Sequence, residues 1–324
     1  MTNYLITGGA GFIGSHLVET LLSQGKNNVF VIDDLSTGRL ENIKHLLHNP
    51  KLRFIQENII NSTTLENFVS QSDVVFHLAA AVGVKLIMER PVHTIETNIG
   101  GTEAILKAAS RYGCKILIAS SSEVYGKANG IPFSEDHDIL LGAPSKHRWA
   151  YAASKLVDEC LGLAYYYEQQ TEVVLFRLFN TVGPRQTGQY GMVIPRFVEQ
   201  ALQGKPITIY GDGNQKRCFC DVRDVINALI YLSESSTAIG QIINIGNVEE
   251  ISIQELAELI KKITNSSSQL HHIPYDVIYA NGFEDIYRRV PNINKLNLIT
   301  GWKPRYQITD ILTRIVEYEM KQMK

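Results

Sequence analysis

The stretch of sequence that decides the fold lies at the N-terminus and reads Asn3-Tyr4-Leu5-Ile6-Thr7-Gly8-Gly9-Ala10-Gly11-Phe12-Ile13-Gly14. An apolar strand runs directly into a Gly-x-x-Gly-x-x-Gly turn, and a helical pattern follows. Glycines at these places permit a tight turn and bring backbone N–H groups close to a pyrophosphate at the helix N-terminus. The segment therefore predicts a dinucleotide-binding turn, with candidate cofactor contacts at Gly8, Gly11, Phe12, Ile13 and Gly14.

A carboxylate follows this turn at the distance that a dinucleotide site requires. Asp33 comes directly after the second apolar strand, Asn28–Ile32, and lies about 20 residues after Gly14. An acid at this place binds the ribose hydroxyls and repels a 2′-phosphate, and no arginine replaces it, so the pattern predicts NAD rather than NADP. Asp34 either shares this contact or faces solvent.

Short apolar strands alternate with helical patterns over the first half of the chain. Strands are expected at Asn3–Thr7, Asn28–Ile32, 52–56, 73–78, 115–119 and 172–178, and helices at 14–23, 63–70, 94–112 and Trp149–Gln169. This alternation predicts an α/β fold of the Rossmann type, a doubly wound parallel sheet with helices on both faces. A further strand, Ile242–Ile245, can return to the sheet.

The second half of the chain has a different organisation. After Phe179, segments rich in Gly and Pro separate short elements, and amphipathic helices are expected at 252–264 and 308–323. We therefore expect an NAD-binding Rossmann domain at 1–178, rejoined by about 222–246. A smaller mixed α/β C-terminal lobe would contain 179–221 and 247–324, and would bind the substrate.

Composition limits the classes of protein to which the chain can belong. Its 324 residues are 44% hydrophobic and 20% charged with a net charge of −2, values typical of a soluble globular protein. This balance indicates no basic surface for nucleic acid. The longest apolar stretch, 74–84, is too short for a membrane helix, and no signal peptide is recognised. Four scattered cysteines fit neither a disulfide framework nor a zinc site. We expect a cytoplasmic protein that binds no metal, nucleic acid or membrane.

The pattern Tyr151-x-x-x-Lys155 places a phenol and an ammonium on one face of the helix Trp149–Gln169. An unperturbed tyrosine has a pKa of about 10, but a cation within about 4–6 Å stabilises the phenolate and lowers that value. Ser120-Ser121-Ser122 follows the fifth strand. After a dinucleotide turn, this combination predicts a tyrosine that acts as a general base under the influence of the lysine.

Several motifs together resemble those of a known family. They are Thr7-Gly8-x-x-Gly11-x-x-Gly14, His77-Leu78-Ala79-Ala80, Ser121, Tyr151-x-x-x-Lys155, Asn180, Gly183-Pro184-Arg185 and Gly211-Asp212-Gly213. Over nearly its whole length the chain resembles the extended short-chain dehydrogenase/reductases, in particular the NAD-dependent epimerase/dehydratase family of nucleotide-sugar enzymes. In that family a tightly held NAD oxidises the sugar at C4, and the hydride returns later in the cycle.

The resemblance implies a role for each matching residue. Tyr151 would take the proton of the C4 hydroxyl, Lys155 would bind the nicotinamide ribose and tune Tyr151, and Ser121 would hydrogen-bond the C4 oxygen. The substrate would be bound by Asn180 and by arginines, for which the candidates are Arg185, Arg217 and Arg289. On the cofactor side the resemblance adds Leu78, Ala79, Ala80, Ile59 and Asn58, the last in place of the Asp that usually contacts adenine.

The residues beside Ser121 decide which reaction follows oxidation at C4. Family 4-epimerases usually carry a small or neutral residue at the position of Glu123, and dTDP-glucose 4,6-dehydratases carry an Asp-Glu pair that Ser122 breaks. Ser122-Glu123 resembles the pair in UDP-glucuronate decarboxylases, and GDP-mannose dehydratases show something similar. The resemblance favours a UDP-glucuronate decarboxylase. The alternatives are a 4-epimerase acting on UDP-glucuronate or UDP-glucose, and then a 4,6-dehydratase.

Two further segments support this comparison. Arg148-Trp149-Ala150-Tyr151 and Asn214-Gln215-Lys216-Arg217-Cys218-Phe219 resemble the decarboxylases of the aminoarabinose pathway and plant apiose synthases. Gly282-Phe283-Glu284-Asp285 and Arg288-Arg289-x-Pro291 resemble their C-terminal lobe.

The chemistry of single residues leaves several roles open. Glu123 could destabilise a substrate carboxylate, protonate an enol carbon, remove the C5 proton in a dehydratase, or only order its loop. Arg217 could bind the C6 carboxylate or a phosphate, and both residues, with Ser122, are catalytic candidates. Lys85 is a candidate sugar contact, but a solvated lysine is the favoured interpretation. His77 is expected to be packed and hydrogen-bonded rather than catalytic.

Two expectations concern the protein as a whole. The helices 94–112 and Trp149–Gln169 carry more apolar and aromatic positions than one buried face requires, and family members commonly dimerise through them, so we expect a homodimer. A different class of function is a catalytically idle NAD-binding sensor. Such proteins tend to lose the tyrosine and lysine pair, whereas this chain keeps both with Ser121.

Overall fold

The computed structural model describes residues 1–128, 130–188, 192–278 and 286–323. Its strands are β1 (Asn3–Thr7), β2 (Asn28–Ile32), β3 (Leu52–Ile55), β4 (Val74–His77), β5 (Lys115–Ser121), β6 (Val173–Leu178), β7 (Thr181–Val182), β8 (Ile207–Tyr210), β9 (Lys216–Cys218), β10 (Cys220–Asp221), β11 (Ile242–Ile245), β12 (Glu250–Ser252), β13 (Leu270–Ile273) and β14 (Arg288–Arg289). Its α-helices are α1 (Phe12–Ser23), α2 (Leu65–Val69), α3 (Val84–Glu89), α4 (Pro91–Tyr112), α5 (Trp149–Gln169), α6 (Val193–Leu202), α7 (Val222–Glu234), α8 (Ile253–Thr264), α9 (Tyr275–Ile278), α10 (Asn294–Thr300) and α11 (Ile308–Gln322).

Seven strands form one parallel sheet in the order β11-β6-β5-β4-β1-β2-β3. β1 pairs with β2 on one side and with β4 on the other, so the direction of the connections reverses there. Sheets of this kind bind ligands beyond the carboxyl ends of the strands, at the point of reversal. The Rossmann-like α/β fold predicted from the sequence is therefore confirmed, and the fold points to the ends of β1 and β4 for the site.

Both faces of the sheet are covered, which explains why its strands are almost uniformly apolar. Leu5 and Ile6, neighbours in β1, point to opposite faces because successive side chains of a strand alternate. Ile6 packs in a core with Leu17 of α1 and Leu229 of α7, and Leu5 packs in a second core with Ile105 of α4. The sheet is thus a rigid platform between two helical layers.

A third core lies in the second half of the chain. It brings together the apolar faces of α6, α8 and α11, including Phe197, Leu256 and Ile315. The N-terminus of α8 is fixed by a capping box, in which the Ser252 hydroxyl accepts from the Glu255 backbone N–H and the Glu255 carboxylate accepts from the Ser252 backbone N–H. These helices support the short strands that carry the second part of the site.

Some elements differ from the sequence-based expectations. The expected strand Ile242–Ile245 joins the large sheet beside β6. The helices α6 and α7 and the other strands of the second half, which have two to four residues each, were not individually predicted. Strands this short contain too few residues for an alternating pattern to be recognised. Leu296 and Trp302, assigned by the sequence to the smaller lobe, pack in the core of the large sheet.

Candidate active site

A cavity of about 220 Å³ lies at the carboxyl ends of β1 and β2. All twelve cofactor candidates outside the catalytic pair line it: Gly8, Gly11, Phe12, Ile13, Gly14, Asp33, Asp34, Asn58, Ile59, Leu78, Ala79 and Ala80. These residues come from four separate segments of the sequence and meet around one space. The convergence supports the interpretation of the N-terminal motif as a dinucleotide site.

The glycine turn is shaped for close approach of backbone rather than side chains. A Cβ atom on Gly14 would lie 2.1 Å from the Gly8 carbonyl oxygen, and one on Gly8 would lie 2.8 Å from the Ala79 nitrogen. Gly8 also has a φ of 74°, in the left-handed region that favours glycine. The turn leads into α1, whose N-terminal N–H groups favour an anion. The residues present therefore fit the pyrophosphate of a dinucleotide.

The two aspartates after β2 have different local roles. Asp33 is buried, and its carboxylate accepts hydrogen bonds of 2.9 Å from the backbone N–H groups of Ala10 and Leu35. Burial raises its pKa, and these bonds act in the opposite direction. Asp34 accepts a 2.9 Å hydrogen bond from the side-chain amide of Asn58. Asp33 therefore fixes the glycine turn, while Asp34 and Asn58 form one polar group at the cavity wall.

Two arginines that were not predicted at the cofactor, Arg39 and Arg185, line this cavity. Arg39 lines the cofactor cavity and donates to the Thr187 hydroxyl at 3.3 Å; it follows Asp33 in Ser36-Thr37-Gly38-Arg39, a segment without an assigned role in the sequence. Arg185, expected at the substrate, also lines the cofactor cavity and forms an ion pair with Glu19 of α1 at 2.6 Å. Arg185 therefore borders the dinucleotide side of the site.

A second cavity of about 400 Å³ adjoins the first, with which it shares walls at Phe12, Leu78 and Ala119. Ser121, Tyr151 and Lys155 line it together, as the sequence predicts. Tyr151 and Lys155 are both buried. Burial is the largest influence on Tyr151 and raises its pKa above the ordinary value, while Lys155 and a hydrogen bond with Ser121 offset part of that increase. Lys155 and Ser121 are thus the two groups of this cavity that favour a phenolate, against the effect of burial.

His77 lies beneath this pair and is not part of the cavity surface. Its Nδ1 is 2.8 Å from the Thr7 hydroxyl and its Nε2 is 3.2 Å from the Thr102 hydroxyl. Burial, together with the charge of Lys155, lowers its pKa to about 3. His77 is therefore neutral and hydrogen-bonded, which agrees with its expected structural role.

Glu123 lies among arginines in the second cavity. Its carboxylate forms ion pairs with Arg289 and, at 3.0 Å, with Arg148. Burial alone would raise the pKa of Glu123, but Arg289, Arg148 and Arg217 lower it to about 2. Glu123 is therefore negatively charged at neutral pH, and three cations surround this single carboxylate. Arg148 was quoted from the sequence as part of a motif but was not assigned to the site.

Strand pairing brings two of these arginines together from distant parts of the chain. Arg217 of β9 and Arg289 of β14 are direct partners in a parallel ladder, so their side chains leave the sheet on the same side. Asn180 joins them, since its side-chain oxygen accepts from Arg289 at 3.0 Å and its amide donates to the Cys218 carbonyl at 3.0 Å. Asn180, Arg217 and Arg289 thus form one wall of the cavity, as the sequence predicts.

The remaining candidates are placed as follows. Ser122 is buried and lines the second cavity. Lys85 lies in the first turn of α3, and its side chain is outside the described part of the structure. The motif Gly282-Phe283-Glu284-Asp285 also lies outside the described residues. Within the described ranges, no cluster of His, Cys, Asp and Glu could hold a metal ion, and no helix is long and apolar enough to cross a membrane.

Comparison with known proteins places this site in a family. A model of the GDP-mannose 4,6 dehydratase family matches residues 5–315. A UDP-N-acetyl-alpha-D-glucosaminuronate decarboxylase of Bacillus cytotoxicus is 46% identical over 93% of this chain and 92% of its own length. UDP-glucuronic acid decarboxylase 1 of Danio rerio is 36% identical over 99% of this chain and 73% of its own.

Solved structures agree with these relatives. UDP-glucuronic acid 4-epimerase from Bacillus cereus, in complex with UDP-glucuronic acid and NAD, superposes with a TM-score of 0.89 and 31% identity, covering 99% of this chain and 100% of the epimerase. The chain belongs to the GDP-mannose 4,6 dehydratase family and is an enzyme of the NAD-dependent epimerase/dehydratase class. The class, the enzymatic function and the NAD cofactor predicted from the motifs are confirmed, and the idle sensor is not supported by any of these relatives.

The glycine turn gives a first testable prediction. Gly14→Ala should weaken NAD binding at least tenfold and lower the free energy of unfolding by about 1–3 kcal/mol, because the new Cβ forces the turn away from α1. Isothermal titration with NAD and urea unfolding measure the two effects. Gly100→Ala in α4 is the matched control, since its Cβ would meet only the flexible end of Ile60. An unchanged NAD affinity of Gly14→Ala would show that the turn does not hold the pyrophosphate.

Proposed function

We propose that this enzyme is an NAD-dependent decarboxylase of a UDP-linked hexuronate, acting on UDP-glucuronate or its 2-acetamido counterpart. The observation that carries the proposal is the arginine cluster around Glu123, in the cavity that also contains Tyr151 and Lys155. A hexuronate brings a carboxylate to the sugar as well as a diphosphate. Three arginines beside one glutamate provide the positive charge that such a substrate requires.

The cofactor cavity supports the placement of NAD along its length. The adenosine end would be held by Asp33, Asp34 and Asn58, with the pyrophosphate at the turn from Gly8 to Gly14. Ile59, Leu78, Ala79 and Ala80 would form the walls around the cofactor. When bound, NAD accepts a hydride from C4 of the sugar and later returns it.

The protein residues near C4 remove one proton from the sugar and later return it. Tyr151 takes the proton of the C4 hydroxyl as a general base, and Ser121 holds the C4 oxygen by a hydrogen bond. The adjacent charge of Lys155 stabilises the phenolate that Tyr151 needs for this step. A ketone at C4 makes the C6 carboxylate a β-keto acid, so the C5–C6 bond can break with release of CO2 and the electron pair enters an enolate. The enolate then takes up one proton at C5, which restores the 4-ketone before the hydride returns to C4.

The charge state of Glu123 narrows its possible roles. With a pKa of about 2, Glu123 carries no proton at neutral pH and is a poor donor to the enolate carbon. A fixed negative charge instead competes with the substrate carboxylate for the arginines, which destabilises that carboxylate and favours neutral CO2. Ser122, buried next to Glu123, would help to shape this end of the cavity.

The position of Arg217 favours contact with the carboxylate over contact with a phosphate. Arg217 acts electrostatically on Glu123, and its strand partner Arg289 forms the ion pair with that residue. Arg217 therefore lies at the same end of the cavity as Glu123, which supports contact with the substrate carboxylate. Arg289 and Asn180 would complete the substrate contacts, whereas Arg185 is closer to the cofactor.

The reaction test is incubation of the enzyme and NAD with UDP-glucuronate or UDP-N-acetylglucosaminuronate. We expect release of CO2 and a UDP-linked pentose, measured by trapping of labelled CO2 and by mass spectrometry. Tyr151→Phe should reduce turnover at least a thousandfold and retain NAD, because only the phenolic oxygen is removed. The two substrates distinguish between the activities named for the two decarboxylase relatives.

Two outcomes would contradict this function. An epimerised uronate with retention of the carboxyl group would identify a 4-epimerase, the activity named for the Bacillus cereus structure. Full activity of Tyr151→Phe would exclude the proposed general base.

Arg217→Met tests which anion this arginine binds. If Arg217 holds the carboxylate, the variant should bind UDP-glucuronate about 10- to 100-fold more weakly and UDP-glucose almost unchanged, since a hydrogen bond to a charged group contributes about 1.5–3 kcal/mol. Calorimetric titration of both ligands measures the difference. Arg196→Met is the matched control, because Arg196 lines the same cavity with its guanidinium 3.7 Å from the centre of the Tyr210 ring. Equal weakening of both ligands by Arg217→Met would assign Arg217 to the diphosphate.

We further propose that two copies of the chain associate through α4 and α5. Large apolar side chains are exposed on these adjacent helices, among them Val92, Ile95, Val157 and Tyr167. Burial of such a surface against a second copy would form a four-helix bundle.

The free thiols at all four cysteines support a reducing, cytoplasmic location for the enzyme.

Sedimentation tests the dimer directly. The protein should sediment as a dimer at micromolar concentration, and the double change Ile95→Glu with Val157→Glu should yield monomers because it introduces charge into the apolar contact. Leu298→Glu on α10 is the control, since Leu298 is also exposed but lies on another helix. A wild-type monomer at this concentration would refute the association.

A further inference from the structure

A carboxylate lies directly beside the catalytic lysine, in the interior of the protein. The Asp158 Oδ2 atom is 3.0 Å from the Lys155 Nζ atom, and the side chains are 0% and 2% exposed. The two residues are three positions apart on α5, which places them on the same helix face. The sequence-based interpretation of Tyr151-x-x-x-Lys155 did not include this third member.

We propose that Asp158 is a positioning residue of the catalytic pair: its carboxylate is the buried counter-ion that keeps Lys155 charged and limits how readily Tyr151 gives up its proton. The inference rests on the proposed function of Tyr151 and Lys155. It adds a group that touches neither substrate nor cofactor and acts through the lysine.

The surroundings of the pair show why a counter-ion is needed. The groups that face this pair come from two helices, two strands and the segment after β5. They are Asp158 and Glu159 on α5, Arg148 at the start of α5, Ser121 at the end of β5, Glu123 after β5, His77 on β4 and Thr102 on α4. Glu159 is engaged by Arg177, Glu123 by Arg148 and Arg289, and His77 is neutral. Asp158 is therefore the carboxylate in direct ion-pair contact with Lys155.

A buried lysine without a counter-ion tends to lose its proton, because burial penalises the charged form. Burial alone would lower the pKa of Lys155, but Asp158 is the largest influence in the opposite direction, and the pKa is raised. The same negative charge also acts to raise the pKa of Tyr151. Asp158 thus increases the proton affinity of both members of the pair.

This effect fits a tyrosine that must work in both directions. In the proposed reaction Tyr151 takes the proton of the C4 hydroxyl and returns it when the ketone is reduced. A phenol with too low a pKa would be a weak base when it takes the proton of the C4 hydroxyl. The same phenol would be a strong acid when it returns the proton, so the two steps would be unequally matched. The carboxylate of Asp158 offsets part of the attraction that Lys155 exerts on the phenolate. The proton affinity of Tyr151 therefore stays at a level that permits both removal and return of the proton.

The test is Asp158→Asn, which removes one negative charge and preserves the shape of the side chain. Because a negative charge is lost, the Tyr151 and Lys155 pair should release its first and second protons at lower pH. Ultraviolet difference titration of phenolate formation should shift to lower pH by about one unit. The chain has 15 tyrosines, so each titration is compared with its Tyr151→Phe counterpart.

The pH profile of kcat/KM provides the second measurement. Both limbs should move to lower pH in Asp158→Asn and stay in place in Asp158→Glu, which retains the charge. Asp224→Asn is the matched control, because Asp224 is a buried carboxylate that accepts from the backbone of Arg305 and Tyr306 outside the cavity. Reduced activity with an unshifted profile and an unshifted titration would overturn the proposal.

A stability cycle keeps the proposal testable if Asp158→Asn does not fold. Lys155→Met and Asp158→Leu each leave one buried charge without its partner, and the double variant leaves none. We expect the double variant to unfold at a higher denaturant concentration than either single variant. Losses that simply add would overturn the ion pair as the source of the effect. The titration and the cycle need no substrate, so their failure is distinguishable from a wrong assignment of the reaction.

Discussion

The buried ion pair between Arg177 and Glu159 holds the two halves of the catalytic apparatus in register. Arg177 of β6 donates two hydrogen bonds of 2.8 Å to the Glu159 carboxylate on α5, and both side chains are almost completely buried. Glu159 also accepts from the Ser120 hydroxyl at 2.6 Å. Since Ser120 precedes Ser121 and Glu159 follows Lys155 by one helical turn, the pair fixes the distance between the serine and the tyrosine–lysine helix.

Arg177 also connects this platform to the cavity wall that contains Arg217 and Arg289. The Arg177 guanidinium lies 4.6 Å from the centre of the Tyr125 ring, and Tyr125 follows Glu123 by two residues. Arg177 also donates to the Glu135 carbonyl. The Glu135 carboxylate accepts from the backbone of Asn244 in β11, and the Asn244 amide donates to the Asn292 carbonyl. Arg289 lies three residues before Asn292. A buried pair of this kind is rarely a large source of stability, but its directional bonds select one arrangement of the elements that it joins.

The parts of the molecule that could be predicted from sequence are those encoded by neighbouring residues. The glycine turn and the Tyr151–Lys155 pair each lie within one element, where the spacing alone determines which side chains share a face. Arg217 and Arg289 were suggested by resemblance, but their contact depends on the pairing of β9 with β14, two strands too short to show a pattern. Arg148 and Asp158 were missed for a different reason: an arginine or aspartate on a helix is usually solvated, and only the packing shows that both are buried.

The charge distribution explains how an almost neutral chain could bind the strongly anionic substrate that we propose. The net charge of −2 is a sum over the whole surface, whereas binding depends on the potential inside the cavity, where the low dielectric strengthens each interaction. Glu123 satisfies part of the charge of Arg148, Arg217 and Arg289 in the free enzyme, which limits the cost of burying three cations. A carboxylate on the substrate then enters a site that already holds one carboxylate. In the proposed reaction, repulsion between the two carboxylates would destabilise the carboxylate of the substrate. Loss of CO2 would remove that repulsion, and the arginines would remain paired with Glu123.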